Sequence, residues 1–191
     1  YHHFDSKLSL LEAICSMRAE ESYEAAQEAL YGIQDDPVSA LNALLDSSSM
    51  FRADKLDYVS LLLRVAYRED GALMREKLKQ RTLELMLPLM DEVIANGIHD
   101  GVFSLPHPEL AGELVLRVSA QFNDEVARIL SRVDDEMEMI HDILAKLELY
   151  RHAVERMLTA AFGSLVLYDQ RNPAAVCEGL AQRRHSRTRY T

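Results

Sequence analysis

The chain has 191 residues and a mass of 21.7 kDa, which is one large domain or two small ones and enough to bury a core without staples. With 48% apolar and 27% charged residues, seven Gly and five Pro, it is not collagen-like, low-complexity or a turn-rich all-β chain. No apolar run approaches ~18 residues, so no membrane-spanning segment is expected, and no stretch reads as a secretory signal. Cys15 and Cys177 lie too far apart in sequence to suggest a disulfide framework or zinc site, and a reducing cytoplasm is the expected location.

The net charge of −10 is unevenly spread. After residue 170 five Arg face Glu178 alone, so residues 1–170 carry −14. An acidic body of this kind is not expected to grip a phosphate backbone by itself. The chain starts at Tyr1 without an initiator Met, so processing or a missing front is expected.

The periodicity is helical nearly throughout, and the expected class is all-α. Ser6 is a candidate cap for a helix from Lys7 to about Leu30, with Leu8, Leu11, Ile14, Ala19, Ala26 and Leu30 near helical spacing. Gly32 marks its stop. Asp35-Asp36-Pro37 is a start signal for a second helix, to about Phe51. A short third helix is expected from Asp54, with Leu56, Val59, Leu62, Leu63 and Ala66 inward. Asp70-Gly71 is a turn. A long helix follows from Ala72 to about Ile98, with Pro88 expected to kink it. Asp100-Gly101 ends it, and Val102 to Leu105 form an extended link. His107-Pro108 opens a helix to about Val133. The last long helix is expected over Glu136–Leu167, roughly 30 residues or about 45 Å. A short helix at 174–182 and a largely disordered Arg-rich end complete the reading.

Two helices of such length overhang a domain about 30 Å across, and both carry apolar stripes. Their expected partner is a second copy, through a four-helix bundle about a twofold axis. The residues assigned to that interface are Phe122, Val126, Ile129, Leu147, Tyr150, Val154, Met157 and Leu158.

The chain holds no Gly-rich phosphate loop, no Gly-x-Ser-x-Gly, no HExxH and no Cys-x-x-Cys. An enzyme is therefore not expected. Glu136, Glu138, His141 and Asp142 can be drawn as a metal cluster, but an acidic first helical turn is the simpler reading, and no metal is expected. The alternative class is a helical-bundle enzyme or metal-carrying protein, which needs paired Glu-x-x-His motifs. Glu138-Met139-Ile140-His141 supplies that spacing once. Cys15 reads as a small buried hydrophobe. Arg117 is expected to pair with a neighbouring acid rather than a ligand. Met17, Phe51, Tyr58, Leu62, Met86, Met90 and Phe122 supply soft or aromatic surface on separate helices and are the candidate pocket lining. Their character points to a hydrophobic or amphipathic organic effector and no other cofactor.

The first residues, Tyr1-His2-His3-Phe4-Asp5-Ser6-Lys7, followed by Leu8 and Leu10-Leu11-Glu12-Ala13, read as the end of an earlier element. They resemble the end of the recognition helix and the start of the connecting helix in TetR-type transcriptional regulators, whose pattern there is Tyr-Tyr-His-Phe-x-Ser-Lys-x-x-Leu-Leu. Only His2 departs from it. Residues 92–115 resemble the same family's link between the ligand-domain core and the dimerising helices.

The resemblance implies a homodimeric, ligand-responsive DNA-binding regulator, a repressor released from its operator by a small molecule. It divides the chain into 1–6, the end of a helix-turn-helix head mostly before Tyr1; 7–170, a ligand-binding and dimerisation domain; and 171–191, the Arg-rich tail. A dimer of the family sets two recognition helices in successive major grooves. By position in the motif, Tyr1, His3 and Lys7 match contacts to the DNA backbone, which position a protein without reading sequence.

Overall fold

A computed structural model describes residues 7–33, 35–47, 71–132 and 135–166. Helix covers 83% of the described residues, and no strand occurs among them. The described helices are α1 (Lys7–Leu30), α2 (Pro37–Ser47), α3 (Ala72–His99), α4 (Ala111–Arg132) and α5 (Glu136–Leu158). One 3-10 turn, Pro108–Leu110, leads into α4. No described helix is long and apolar enough to cross a membrane. The helix expected from Asp54, the Ser6 cap and the chain after Val166 lie outside the described residues.

The helix starts follow local chemistry. Asp36 caps α2: Oδ1 accepts the N–H groups of Val38 and Ser39, and Oδ2 accepts the Ser39 hydroxyl. These bonds, those of Ser39 foremost, hold the Asp36 carboxyl below its ordinary pKa. Asp135 caps α5 by accepting the Glu138 N–H at 2.9 Å. Pro88 sits at an exposed position inside a continuous α3.

Helices α1 and α3 run in the same direction. The Cys15 thiol meets the Met74 carbonyl at 3.7 Å, Glu12 meets Lys77 at 2.7 Å, and Glu20 meets Arg81 at 3.7 Å. The buried stripe of α1 is Cys15, Ala19, Ala26 and Leu30, whose small residues permit close approach. Burial pushes the Cys15 thiol pKa up, as expected of a packed rather than reactive cysteine. Helix α2 packs across both, driving Leu41, Leu44 and Leu45 into the core.

Helices α3, α4 and α5 form an antiparallel series. Lys79 pairs with Asp124 at one level, and Asp91 lies against Gly112 at another. Phe122 and Tyr150 rings meet at 5.3 Å, and Lys146 reaches Glu125 at 3.5 Å. The turn from α3 is tightly built. The N–H groups of Val102 and Phe103 both donate to the Gly97 carbonyl. The Phe103 ring then lies directly on Gly97, where a Cβ would stand 2.1 Å from it. Only Gly fits that position.

The structure corrects the last helix. It ends at Leu158 rather than Leu167, so it has 23 residues and a length of about 35 Å. Thr159 takes a left-handed conformation (φ 53°), the Ala160 N–H returns to the Glu155 carbonyl, and Gly163 turns the chain again (φ 78°). Ala161, Phe162 and Leu165, whose spacing continues the apolar stripe of this helix, diverge: Phe162 is exposed while Leu165 is buried. Residues 159–166 form a strap that returns to α2. Helix α4, at 22 residues, is about 33 Å long. At these lengths neither helix overhangs a domain of about 30 Å appreciably, and that length argument for a second copy falls away.

Candidate functional site

Of the seven pocket residues the sequence suggests, the four among the described residues do not line a common opening. Met86 and Met90 have no exposed surface, and Phe122 has 1%; all three are core residues. Met17 is on the outer side of α1 with 47% exposed. Phe51, Tyr58 and Leu62 lie outside the described residues, as do Tyr1, His3 and the Lys7 side chain; Lys7 itself is the first residue of α1.

Of the residues assigned to a dimer interface, Phe122, Val126, Leu147, Val154 and Leu158 are buried within the single chain. Ile129, Tyr150 and Met157 are half-buried against the same core. Burial, then nearby Glu125, raises the Tyr150 pKa. The apolar side chains that α5 leaves open are instead Met137, Leu144 and Leu149.

The remaining sequence candidates have local partners. Arg117 clasps Glu113 one turn back, with Nη2 at 2.5 Å and Nε at 2.7 Å from the same oxygen. His141 and Glu138 are exposed on α5. The exposed His152 ring meets Phe162 edge-on at 5.6 Å, and the Arg151 guanidinium stands over Phe162 at 5.7 Å. Among the described residues no three His, Cys, Asp or Glu side chains gather to hold a metal ion.

A cleft of about 150 Å³ opens where the end of α1, the start of α2 and the second half of α3 meet. Gln27 and Leu30 come from α1, Pro37 and Ala40 from α2, and Leu89, Glu92, Val93 and Asn96 from α3. Its origin is local. The Gly32 turn (φ 81°) and the Asp36 cap bring α2 in as a wedge. The floor is aliphatic and the rim is polar. One amide N–H of Gln27 donates to the Tyr23 hydroxyl at 3.1 Å, leaving the Gln27 carbonyl oxygen as its acceptor.

The electrostatics of this end are one-sided. The chain has no Lys or Arg from Ala19 to Phe51, against seven carboxylates, and none from Thr82 to Leu116, against six. Those two stretches contain every described residue lining the cleft. Next to Glu92, the Asp91 carboxyl is raised above its ordinary pKa, by burial first and by the Glu113 charge second.

A second polar feature ties the strap down. Asn42 on α2 donates from Nδ2 to the Ser164 carbonyl (3.3 Å) and accepts the Val166 N–H at Oδ1 (2.7 Å). Glu155 is 1% exposed, and its Oε1 accepts the Leu165 N–H at 3.1 Å. The Ser104 N–H donates to the Leu158 carbonyl, which joins this end of α5 to the α3–α4 turn. The sequence points to neither Asn42 nor Glu155, and to the cleft residues Leu30 and Pro37 only as helix-forming positions. The missing Lys and Arg were the one readable signal.

No protein-family model matches the chain, and no curated protein or solved structure matches it either.

Proposed function

We propose that the chain is the ligand-binding and dimerisation part of a TetR-type, ligand-responsive transcriptional regulator, a repressor that leaves its operator when a small organic effector binds. One observation carries the reading. A single uninterrupted 24-residue helix, α1, begins at the Lys7 of the Tyr-x-His-Phe-x-Ser-Lys motif and ends in the cleft at Gln27 and Leu30. It spans about 36 Å. An occupant of the cleft touches the far end of the helix whose near end carries the motif.

The mechanism is a lever. A ligand that favours one inclination of α1 against α2 and α3 shifts the population towards that geometry. In a homodimer the tilt changes the separation of two heads set for successive major grooves. Only differential affinity for the two geometries drives the shift, and about 1–3 kcal/mol of coupling suffices for a useful switch. The acidic body leaves the backbone contacts to the head, where Tyr1, His3 and Lys7 serve as positioning groups. The second copy docks on α4 and α5, and Leu144 and Leu149, both exposed on the single chain, are the side chains it covers.

The test uses the full-length protein, including whatever precedes Tyr1. Duplexes are selected from a random pool, and affinity for the winner is measured with and without candidate effectors. The expected result is a palindromic site bound by a dimer, with a salt slope that falls by about one for Lys7→Ala. No selected sequence, or an affinity unchanged at saturating effector, overturns the proposal.

A further inference from the structure

The geometry points to a small primary ammonium compound, an aliphatic chain ending in –NH3+, as the occupant of the cleft between α1, α2 and α3. The inference rests on the proposed function only in taking this cleft as the effector site, and the chemistry comes from the lining itself. Three side chains at the rim bear acceptor oxygens: the Glu92 carboxylate and the carboxamides of Gln27 and Asn96. An ammonium group has three donors and no acceptor, so it can use all three. Below the rim Leu30, Pro37 and Val93 give an aliphatic floor with no polar demand.

Among the described residues no cation lines the cleft, and neither stretch that supplies its described lining contains Lys or Arg. A carboxylate ligand would meet the Glu92 carboxylate with no cation among the described lining residues to offset the repulsion. A neutral ligand would gain the floor and rim hydrogen bonds but not the attraction between its charge and the Glu92 carboxylate. The volume of about 150 Å³ sets the size. At about 30 Å³ per water-sized group it admits about five non-hydrogen atoms, the size of n-butylammonium. The occupant is smaller and more polar at one end than the Met-lined pocket suggested by sequence would take.

The experiment is an amide chemical-shift titration of the full chain with n-butylammonium, n-butanol and butyrate at low ionic strength. Saturable shifts centred on Gln27, Glu92 and Asn96 are expected with n-butylammonium, weaker ones with butanol and none with butyrate. Glu92→Gln is expected to weaken ammonium binding about 3- to 10-fold while leaving remote signals in place. Raising salt to about 0.15 M weakens it further. Glu92→Lys is expected to reverse the preference towards butyrate. Equal binding of the three probes, shifts centred elsewhere, or an affinity unchanged by Glu92→Gln would overturn the assignment. The two proposals fail separately. Ammonium binding without any operator sinks the regulator and leaves the cleft assignment standing. Operator release by another compound, with no ammonium binding, does the opposite.

Discussion

The parallel pair α1 and α3 has two unlike ends. Near its start the helices are drawn together by a small-residue stripe and crossed by Glu12–Lys77 and Glu20–Arg81. Near its finish, α2 is wedged between them, the cleft opens, and neither α1 beyond Arg18 nor α3 beyond Arg81 carries a Lys or Arg. One pair of helices thus closes at one end and leaves a charged opening at the other. Surface ion pairs of the first kind contribute little stability, typically up to about 1 kcal/mol. At the second end Asp91 and Glu113 repel, which helps raise the Asp91 pKa, and a bound cation reduces such like-charge cost.

Substitutions test this contrast in descending size. Phe103→Ala removes the ring that closes the α3–α4 turn on Gly97 and is expected to cost about 3–5 kcal/mol in denaturant unfolding. A cost below 1 kcal/mol would mean that this end is held elsewhere. Asn42→Ala releases the strap from α2 by removing both hydrogen bonds to 164–166, at a cost of about 1–2 kcal/mol. Amide exchange at Val166 is expected to quicken, and unchanged exchange would show that Glu155 suffices. Thr159→Gly relieves a left-handed residue and is expected to add about 1 kcal/mol. Destabilisation instead would mean that the Thr side chain has a role outweighing its backbone strain.

The acidic end also has a pH signature. Burial raises the Asp91 pKa on folding, so ionising it disfavours the folded state. That penalty is absent below the unfolded carboxyl pKa, near 3.8, and sets in as pH rises through and above it. Asp91→Asn is therefore expected to raise the melting temperature at pH 7 and to leave it unchanged at pH 3. An equal gain at both would assign the effect to packing against Gly112. The smallest effect belongs to the paired end: Lys77→Ala is expected to change stability by no more than about 0.5 kcal/mol, since its pair with Glu12 is solvent-exposed.

Much of the helix order was legible because its signals are local. Gly32, Asp36-Pro37 and Asp100-Gly101 each act on neighbouring backbone groups, and the structure uses each as a stop or cap. Cys15 and Arg117 were read correctly for the same reason: a stripe neighbour and an acid one turn away. The end of α5 was misread because Ala161, Phe162 and Leu165 continue the apolar spacing past the break. The Gly163 that signals a turn was outweighed by that periodicity.

The sequence alone determined an all-α chain, the span of α1 from Lys7 to Leu30, and the concentration of positive charge at its far end. These depend on backbone propensity, capping and composition, which act within a few residues. Only the tertiary structure decided that Met86, Met90 and Phe122 are core rather than lining. It alone brought Gln27, Pro37 and Glu92 around one opening and tied residues 164–166 to Asn42. Which face of a helix remains open depends on what packs against it, and for α2 on the angle at which the Gly32 turn sends it back. No spacing along the chain carries that angle.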